Sequence, residues 1–485
     1  MHTDHDAAYL ALKTRDARFD GRLFVGVTST GVYCRPVCRV RTPRRENCRF
    51  FASAAQAEAA AFRPCLKCRP EIAPGLSAMD SSAALAQAAA RRIEHAVHAG
   101  EPVTMTALAA HLGVTDRHLR RIFAAEHGVG PLDYATTQRL LLAKRLLTDT
   151  AEPVAQVALA SGFGSLRRFN AAFAARYRMA PTRLRRDGAP PRAGAALRLA
   201  WRPPCDTAGL LAFHAQRALP GVECVDGPVL RRTLVLPTAN GPVAGWLACR
   251  LVPERHELWL EPSPALAPAL GPLLQRVRHA FDLDADPART DPVLATLPVP
   301  AAPGLRLPGC FDGFETAVRI VLGQQVTVKA ARTLAQRLVA AFGTPITTPF
   351  PGLDRLFPDA ATLAAADPEI LGRLGIVRQR VRALQALAAE VAAGRLALHP
   401  GAPLQATLDA LRALPGIGEW TAQLVALRVL AWPDAFPATD IGLLNALQPV
   451  LGRRDALAAT QMADAWRPWR AYAVIALWQS LETPP

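Results

Sequence analysis

Four cysteines are spaced as two close pairs that a single metal ion can hold together. Three residues separate Cys34 from Cys38, a further 26 residues follow, and two residues separate Cys65 from Cys68. Zn2+ in structural sites takes four tetrahedral ligands and binds sulfur well, so this spacing predicts a four-cysteine zinc site. A purely architectural zinc satisfies the same pattern. Cys48, the fifth cysteine of the segment, is interpreted as a small core residue.

A glycine hairpin and a carboxylate indicate a second site near the C-terminal end. The run LPGIG (414–418) lies between two stretches of helical periodicity, and Asp440 follows 22 residues after it. Glycines allow the backbone to approach phosphate closely, and the N–H groups at a helix start can bind an anion. We therefore expect phosphate contacts at Gly416 and Gly418, with Thr421 beside them. Asp440 also suits the N-cap of the following helix.

Two helix-turn-helix patterns lie between these sites. The first turn is at Gly113, and a similar pattern recurs about 50 residues later with Gly162 and Gly164 at its turn. Either pattern alone is also compatible with an ordinary helical hairpin. The residues expected on the exposed recognition faces are Arg117, His118, Arg120, Arg121, Ser165, Arg167 and Arg168.

Composition favours several domains and a polyanionic partner. The chain has 485 residues and a net charge of +16; residues 1–192 carry 29 lysines and arginines against 16 acidic residues, and the remainder carries 27 against 24. This distribution favours nucleic acid over membrane as the partner. No apolar run is long enough to span a membrane, and charges interrupt the N-terminal segment, so we expect a cytoplasmic protein without disulfides.

Proline- and glycine-rich stretches divide the sequence into four segments. The first segment is too short for a large core and needs a stabilising cross-link such as a bound metal. The second and fourth segments have helical periodicity, and the third mixes strands and helices. We predict a multidomain α+β fold. Its parts are a small four-cysteine zinc domain (1–76), an all-α double helix-turn-helix domain (83–187), a small α/β domain (197–303) and an all-α helix-hairpin-helix domain (304–485).

The cysteine-rich segment resembles the Ada-type methyl-phosphotriester sensor. The runs TSTGVYCRPVC, RTPRREN and AFRPCLKC carry the resemblance. In that family the first cysteine, held as a thiolate by Zn2+, accepts a methyl group from a DNA methyl phosphotriester in a single turnover. The resemblance therefore implies Cys34 as the acceptor and Zn2+ as the cofactor. Arg35, Arg41 and Arg63 are candidate phosphate contacts or, alternatively, a solvated basic face.

The paired hairpins resemble the AraC-type DNA-binding domain. The run GFGSLRRF, followed after three residues by Phe173, is specific for it. In that family two recognition helices enter successive major grooves, which implies promoter operator DNA as a partner and RNA polymerase as a further candidate. Related activators often carry a methyltransferase built around Pro-Cys-His-Arg. None of the nine cysteines here precedes a histidine, so we expect that activity to be absent.

The C-terminal segments are similar to AlkA-type 3-methyladenine glycosylases of the helix-hairpin-helix superfamily. The similarity rests on LPGIG with Asp440 and on GLRLPGCFDGFETAVRIVLGQQVT (304–327). It implies that Asp440 stabilises an oxocarbenium-like transition state while assisting water. It also implies that Phe213, Trp420 and Trp478 form walls of a pocket for a flipped base, although each aromatic also suits a core position.

Some positions depart from patterns of the superfamily. Trp420 occupies the place of the catalytic lysine of bifunctional lyases, so β-elimination is not expected. Gln325 lies where AlkA-type enzymes insert an apolar wedge into DNA, and Leu424 replaces an aromatic pocket residue. No cysteine follows Cys310, which excludes the C-terminal iron–sulfur cluster of some relatives.

The resemblances imply a monomeric fusion protein acting on double-stranded DNA. It accepts methyl groups from methyl phosphotriesters, regulates transcription and excises alkylated bases such as 3-methyladenine and 7-methylguanine. Two alternatives stay open. In one, a transcription regulator uses the glycosylase half only as a DNA-binding module, against which the retained Asp440 argues. In the other, a glycosylase uses its front half only for localisation and the zinc is structural.

Overall fold

The computed structural model describes residues 5–15, 23–51, 54–68, 70, 78–99, 102–149, 153–187, 196–238 and 241–481. The chain forms two compact units, one of Met1–Glu94 with Val103–Ala135 and one of His95–Pro102 with Thr136–Pro485. Many helices and two small sheets confirm the predicted multidomain α+β class. Within the described ranges, every helix is too short or too polar to cross a membrane.

The first unit begins with a small four-stranded sheet and two helices. β1 pairs antiparallel with β2 and β3, whereas β2 and β4 pair in parallel. Phe24, Tyr33 and Phe62 form a small buried core, too small to stabilise the sheet alone. In chain order the elements are α1 (His5–Thr14), β1 (Phe24–Val27), β2 (Val32–Cys34), β3 (Cys48–Phe51), α2 (Ala54–Ala59) and β4 (Arg63–Pro64).

Seven helices follow. They are α3 (Ala78–Ala99), α4 (Met105–His111), α5 (Asp116–His127), α6 (Pro131–Asp149), α7 (Val154–Ala160), α8 (Leu166–Tyr177) and α9 (Pro181–Asp187). α4 and α5 form the first predicted hairpin, and α7 and α8 form the second. Gly113 and Gly162 have φ values of +65° and +78°, as these turns require. The hydroxyls of Thr115 and Ser165 cap α5 and α8.

The third part, predicted as a small α/β domain, contains a five-stranded sheet in the order β5-β9-β8-β7-β6. Each of its pairings is antiparallel: β6 to β9 form successive hairpins, and β5 pairs with β9 at one edge. The elements are β5 (Leu197–Ala200), α10 (Thr207–Arg217), β6 (Glu223–Asp226), β7 (Val229–Leu236), β8 (Val243–Val252), β9 (Glu257–Pro262) and α11 (Leu270–Ala280).

The last part is helical and surrounds a large apolar core. Its helices are α12 (Pro287–Leu294), α13 (Gly313–Leu322), α14 (Val328–Phe342), α15 (Ala360–Ala364), α16 (Pro368–Arg373), α17 (Arg378–Ala392), α18 (Leu404–Arg412), α19 (Glu419–Arg428), α20 (Ile441–Leu451), α21 (Ala456–Ala463) and α22 (Arg470–Ser480). α22 is buried without interruption from Arg470 to Leu477 and lies within this core. The LPGIG run connects α18 to α19, and Asp440 is the N-cap of α20. The core therefore positions both features of the predicted site.

A buried ionic network joins the five-stranded sheet to the helical part. Arg232 on β7 donates to Glu223 at 2.9 Å and to Glu315 on α13 at 2.6 Å, and these side chains are at most 4% exposed. Burial raises the pKa of Glu223. Against the effect of burial, Arg232 and Arg319 lower the pKa of Glu315. Without the shared cation, Glu223 is left buried beside a second carboxylate, and Glu315 keeps its pair with Arg319 at 2.9 Å.

Arg232→Met should lower the free energy of unfolding of this part of the chain by roughly 3–5 kcal/mol, because Glu223 loses its buried cation and Glu315 keeps its pair with Arg319 but loses the second one. Urea unfolding followed by tryptophan fluorescence measures the change, since all eight tryptophans follow residue 200. Arg395→Met is the matched control. It breaks an exposed pair with Glu390 and should leave the transition midpoint unchanged. Equal midpoints for the two variants would contradict the role given to Arg232.

Candidate functional site

The four predicted zinc ligands converge on one buried site. Cys34 ends β2 and Cys38 follows in a tight turn, while Cys65 and Cys68 follow β4. Because β2 and β4 pair in parallel, the Cys65 N–H donates to the Tyr33 carbonyl at 3.0 Å and brings the second pair beside the first. The four sulfur atoms lie within 4.8 Å of one another, and each cysteine is at most 8% exposed.

The electrostatics of this cluster fit a divalent cation. Hydrogen bonds with Cys38 and Cys68, together with burial, raise the pKa of Cys34 well above its usual range. Hydrogen bonds with Cys34 and Cys68 lower the pKa of Cys38 to about 2. Four sulfurs this close together fit a metal ion, because Zn2+ compensates several thiolates at once. The Arg35 backbone N–H, 3.5 Å from the Cys68 sulfur, adds a further positive dipole.

The three arginines predicted to contact phosphate differ in exposure. Arg41 and Arg63 are exposed near the cysteine cluster. Arg35 is only 1% exposed, so its predicted role needs correction. A guanidinium buried to that extent does not reach a phosphate at the protein surface. Arg35 contributes its backbone N–H to the interior of the site, and Arg41 and Arg63 stay predictions.

The predicted recognition residues lie near the starts of the second helices. The exposed ones are Arg117, Arg120, Arg121, Arg167 and Arg168. His118 is half-buried, with its Nδ1 atom 3.2 Å from Nη2 of Arg121. The Ser165 hydroxyl accepts the Arg168 backbone N–H at 3.3 Å. Ser165 therefore caps α8, and its contact with DNA stays a prediction.

A pocket of about 1130 Å3 opens in the helical part beside the hairpin. Asp440 lies in its wall and is 7% exposed. The loop between α13 and α14 forms part of the rim. The pocket brings together residues that are far apart in the sequence. The predicted site residues that line it are Gln325, Gly416, Gly418, Trp420, Thr421, Asp440 and Trp478.

The Asp440 carboxylate accepts three N–H hydrogen bonds in this pocket. Oδ1 accepts the Leu443 backbone N–H at 2.9 Å and the Trp478 indole N–H at 2.8 Å. Oδ2 accepts the Trp420 indole N–H at 2.9 Å. The helix-cap role and the catalytic role predicted for Asp440 are therefore geometrically compatible. The donors and the start of α20 stabilise negative charge at this position.

One residue predicted to form a wall of the pocket, Phe213, lies outside it. Phe213 is 5% exposed and does not line the pocket, so its prediction needs correction. The guanidinium of Arg217 lies 3.7 Å from the Phe213 ring centroid, and that of Arg428 lies 4.7 Å from it. Arg217 lines the pocket in place of the ring. Burial and Arg217 lower the pKa of Arg428 to about 9.

The positions of these arginines and of the indole donors could not be predicted from the sequence patterns described above. Arg217 follows Phe213 by four residues on α10, a spacing that predicts contact on a helix face. No comparable signal exists for Arg428, which reaches Phe213 from α19. No local sequence pattern predicts that the indole N–H groups of Trp420 and Trp478 bind Asp440, because these residues come together only in the folded chain.

The hairpin is held by a glutamine that the sequence analysis did not select. Gln324 Nε2 donates to the Gly416 carbonyl at 2.9 Å and to the Thr421 hydroxyl at 3.0 Å. Thr421 is 2% exposed and its hydroxyl braces the hairpin, while the DNA contact predicted beside it stays a prediction. Gly416 has a φ of +76°, and Gly418 precedes α19, which begins without a side-chain cap. The first N–H groups of α19 suit an anion.

Four family models match successive parts of the chain. They describe the metal binding domain of Ada (residues 7–71), a helix-turn-helix domain (108–187), the AlkA N-terminal domain (196–312) and the HhH-GPD superfamily of base excision DNA repair proteins (318–471). The matches confirm the family resemblances. Together with the cysteine cluster, they confirm Zn2+ as the cofactor.

Three relatives cover different lengths. The probable bifunctional transcriptional activator/DNA repair enzyme AlkA of Mycobacterium tuberculosis is 40% identical over 100% of this chain and 98% of that protein. DNA-3-methyladenine glycosylase 2 of Escherichia coli is 35% identical over 58% of this chain and 95% of that protein. The bifunctional transcriptional activator/DNA repair enzyme Ada of Escherichia coli is 36% identical over 33% of this chain and 42% of that protein.

The purified chain should contain a single zinc ion, and Cys38→Ser should lose it, because a hydroxyl is a much weaker zinc ligand than a thiolate. Plasma mass spectrometry of the metal measures the stoichiometry. Cys48→Ser is the matched control and should retain zinc, since the Cys48 thiol donates to the Arg44 carbonyl at 3.3 Å. Zinc retained by Cys38→Ser and lost by Cys48→Ser would refute this ligand set.

Proposed function

The chain belongs to the AlkA family of bifunctional transcriptional activator/DNA repair proteins, and from this premise we propose that it excises alkylated bases, accepts methyl groups from DNA methyl phosphotriesters and regulates transcription. The observation that carries the glycosylase proposal is the Asp440 carboxylate, held by three N–H donors in a pocket beside the hairpin. The cap of α20 needs only the bond to the Leu443 N–H, whereas the two indole donors and the position in the pocket wall are what a catalytic carboxylate needs. This favours an enzyme over a regulator with a degenerate glycosylase half.

Base excision in this proposal requires a nucleotide flipped into the pocket. As the N-glycosidic bond breaks, positive charge develops on the sugar, and the fixed Asp440 carboxylate stabilises it. Asp440 then accepts a proton from the water that attacks the anomeric carbon. A base that is already cationic, such as 3-methyladenine or 7-methylguanine, leaves without a general acid. The products are the free base and an abasic site.

The two indoles have a positioning role in this mechanism. Their N–H groups hold both oxygens of Asp440, so the carboxylate keeps its orientation when substrate enters. Aromatic surface also attracts an electron-poor base, while Leu424, 7% exposed, supplies an apolar wall. Trp420 has no amine to form a Schiff base with the abasic sugar. The strand therefore stays intact after base release.

Methyl transfer is proposed at Cys34. Bound Zn2+ keeps the cysteine sulfurs deprotonated at neutral pH. The Cys34 thiolate attacks the methyl carbon, the new S–C bond forms while the methyl C–O bond of the phosphotriester breaks, and the electron pair leaves with the phosphodiester anion. The thioether product is not reversed, so each chain reacts once. The transfer also removes one negative charge from the cluster, which weakens its repulsion of DNA phosphates.

Operator binding is proposed for the exposed arginines of α5 and α8, with His118 and Ser165 beside them. Arg41 and Arg63 would add phosphate contacts from the zinc domain. Double-stranded DNA is the common partner of all the domains. Four expectations stay predictions. They are RNA polymerase as a further partner, a monomeric state, a cytoplasmic location and the four domain boundaries.

Incubation with DNA that contains methyl phosphotriesters should add one methyl group to Cys34, because this cysteine is the proposed acceptor thiolate. Mass spectrometry of proteolytic peptides locates the added methyl. Cys34→Ala should remain unmethylated, whereas the control Cys48→Ala should react like the wild type. A methyl group found on Cys38, Cys65 or Cys68 with Cys34 unmodified would overturn the assignment.

Asp440→Asn should slow single-turnover release of 7-methylguanine by on the order of 10²–10³, because the charge facing the developing cation is lost. Binding to abasic-site DNA should be nearly unchanged, since backbone groups of the hairpin grip phosphate. Asparagine also retains the helix cap. Quantification of released base and a binding titration measure the two effects.

Two further readouts belong to the same experiment. Trp478→Phe keeps an aromatic ring and removes one donor to Asp440, so the single-turnover rate should fall while binding to abasic-site DNA stays nearly unchanged. The wild-type product strand should stay intact until alkali is added. Undiminished release by Asp440→Asn, or borohydride trapping of wild type on DNA, would contradict the proposed mechanism.

A further inference from the structure

A guanidinium forms the wall of the pocket where the sequence predicts an aromatic ring. Arg217 at the end of α10 lines the pocket, and its guanidinium lies 3.7 Å from the ring centroid of Phe213. Its Nη1 atom donates to the Phe213 carbonyl at 3.3 Å and to the Gln216 side-chain oxygen at 3.2 Å, and these bonds hold the group in place. A guanidinium is planar and stacks on aromatic rings. Arg217 therefore offers a flipped base a flat surface that is charged.

Further positive charge surrounds the same end of α10. Arg332 on α14 donates to a carbonyl of α10 at 3.4 Å, and Arg319 on α13 donates to the Arg217 carbonyl while pairing with Glu315 at 2.9 Å. Burial and the charge of Arg217 lower the pKa of Arg428 to about 9. The charged residues that the structure describes in the pocket lining are Arg217, Arg319, Arg332, Arg380, Arg428 and Asp440. A negative charge that forms on the α10 side of the pocket is therefore stabilised.

We propose that Arg217 stabilises the negative charge that develops on a neutral base as it leaves, and so determines how fast neutral lesions are released relative to cationic ones. The inference rests on the proposed glycosylase function, because this charge develops only when Asp440 promotes loss of a base. When the N-glycosidic bond breaks, its electron pair goes to the ring nitrogen of the base. A cationic base becomes neutral by this step, whereas a neutral base becomes an anion. Only the anion is stabilised by a cation in the pocket wall.

The step balances without a further reactant. Water gives its oxygen to the anomeric carbon and a proton to Asp440, and the leaving anion takes up one proton from this carboxyl group or from bulk water. A guanidinium stays protonated at neutral pH, so Arg217 acts through its charge and not as a proton donor. For a cationic lesion, the same charge opposes entry of the base. Arg217 therefore shifts the selectivity of the pocket toward neutral lesions.

Two duplexes of one sequence test this role. One carries hypoxanthine as a neutral lesion and the other carries 7-methylguanine as a cationic lesion, each opposite cytosine. Single-turnover base release is measured for the full-length wild type and for Arg217→Met, which loses the charge. Release of hypoxanthine should fall about ten- to hundredfold, because the cation beside the leaving anion is lost. Release of 7-methylguanine should change little or rise, since its leaving group carries no negative charge.

Further variants separate the charge from a structural role. Arg217→Lys keeps the charge and should recover much of the hypoxanthine release, whereas the control Arg373→Met on the exposed surface of α16 should leave both rates unchanged. Retained release of 7-methylguanine by Arg217→Met shows that the pocket is still folded.

The outcomes distinguish this inference from the function on which it rests. Equal losses for the two lesions, undiminished hypoxanthine release by Arg217→Met, or a wild type that releases only 7-methylguanine would overturn the role of Arg217 and leave the glycosylase proposal intact. Absence of 7-methylguanine release by the wild type would overturn the glycosylase proposal, and this inference with it.

Discussion

A negative charge held away from water is the constraint on which the helical part depends. Burying a carboxylate without partners is very unfavourable, so its donors must be in place before substrate arrives. Asp440 receives these donors from the backbone of α20, from the indole on α19 and from the indole on α22. Each helix must therefore have a fixed position relative to the other two. The large apolar core that surrounds α22 provides this rigidity.

The zinc domain also holds negative charge away from water, but a cation compensates that charge. The charged groups are four cysteine sulfurs, and each cysteine is at most 8% exposed in a segment whose apolar core is small. Here N–H donors alone are too few, and a bound cation supplies the compensation. The metal therefore stabilises the local fold and the reactive charge state together, so an architectural role and a chemical role for zinc do not exclude each other.

Features that depend on a few neighbouring residues could be predicted from the sequence. Cysteine spacing identifies the ligands because one metal needs only two close pairs and a connecting loop. The caps and turns of the hairpins are local for the same reason, and Asp440 caps α20 through a bond to a residue three positions away. Helical periodicity identifies the fourth segment, although it does not define how its helices pack.

Features that depend on tertiary packing could not be predicted. The faces of Trp420 and Trp478 were expected to matter, but where the edges point is decided by the docking of α19 and α22 beside α20. Phe213 was expected in the pocket, but Arg217 covers it. Arginine usually lies at the surface, but Arg35 is 1% exposed and its backbone N–H lies 3.5 Å from the Cys68 sulfur. In each case the sequence specifies the side chain, and the fold decides which of its atoms meet solvent or substrate.

The two proposed reactions differ in whether the reacting group of the protein is consumed or regenerated. This difference gives a physical reason for joining the two activities in one chain. The Cys34 sulfur is consumed by one methyl group, so its modification records the amount of damage encountered. Asp440 is regenerated whenever a base leaves, so one chain clears many lesions. A record that persists is suited to controlling transcription, because the charge removed from the cluster alters affinity for DNA for the lifetime of the chain. A regenerated carboxylate keeps no lasting chemical change after a base is released. In this proposal the sulfur therefore suits the sensor, and the regenerated carboxylate suits the repair of bases.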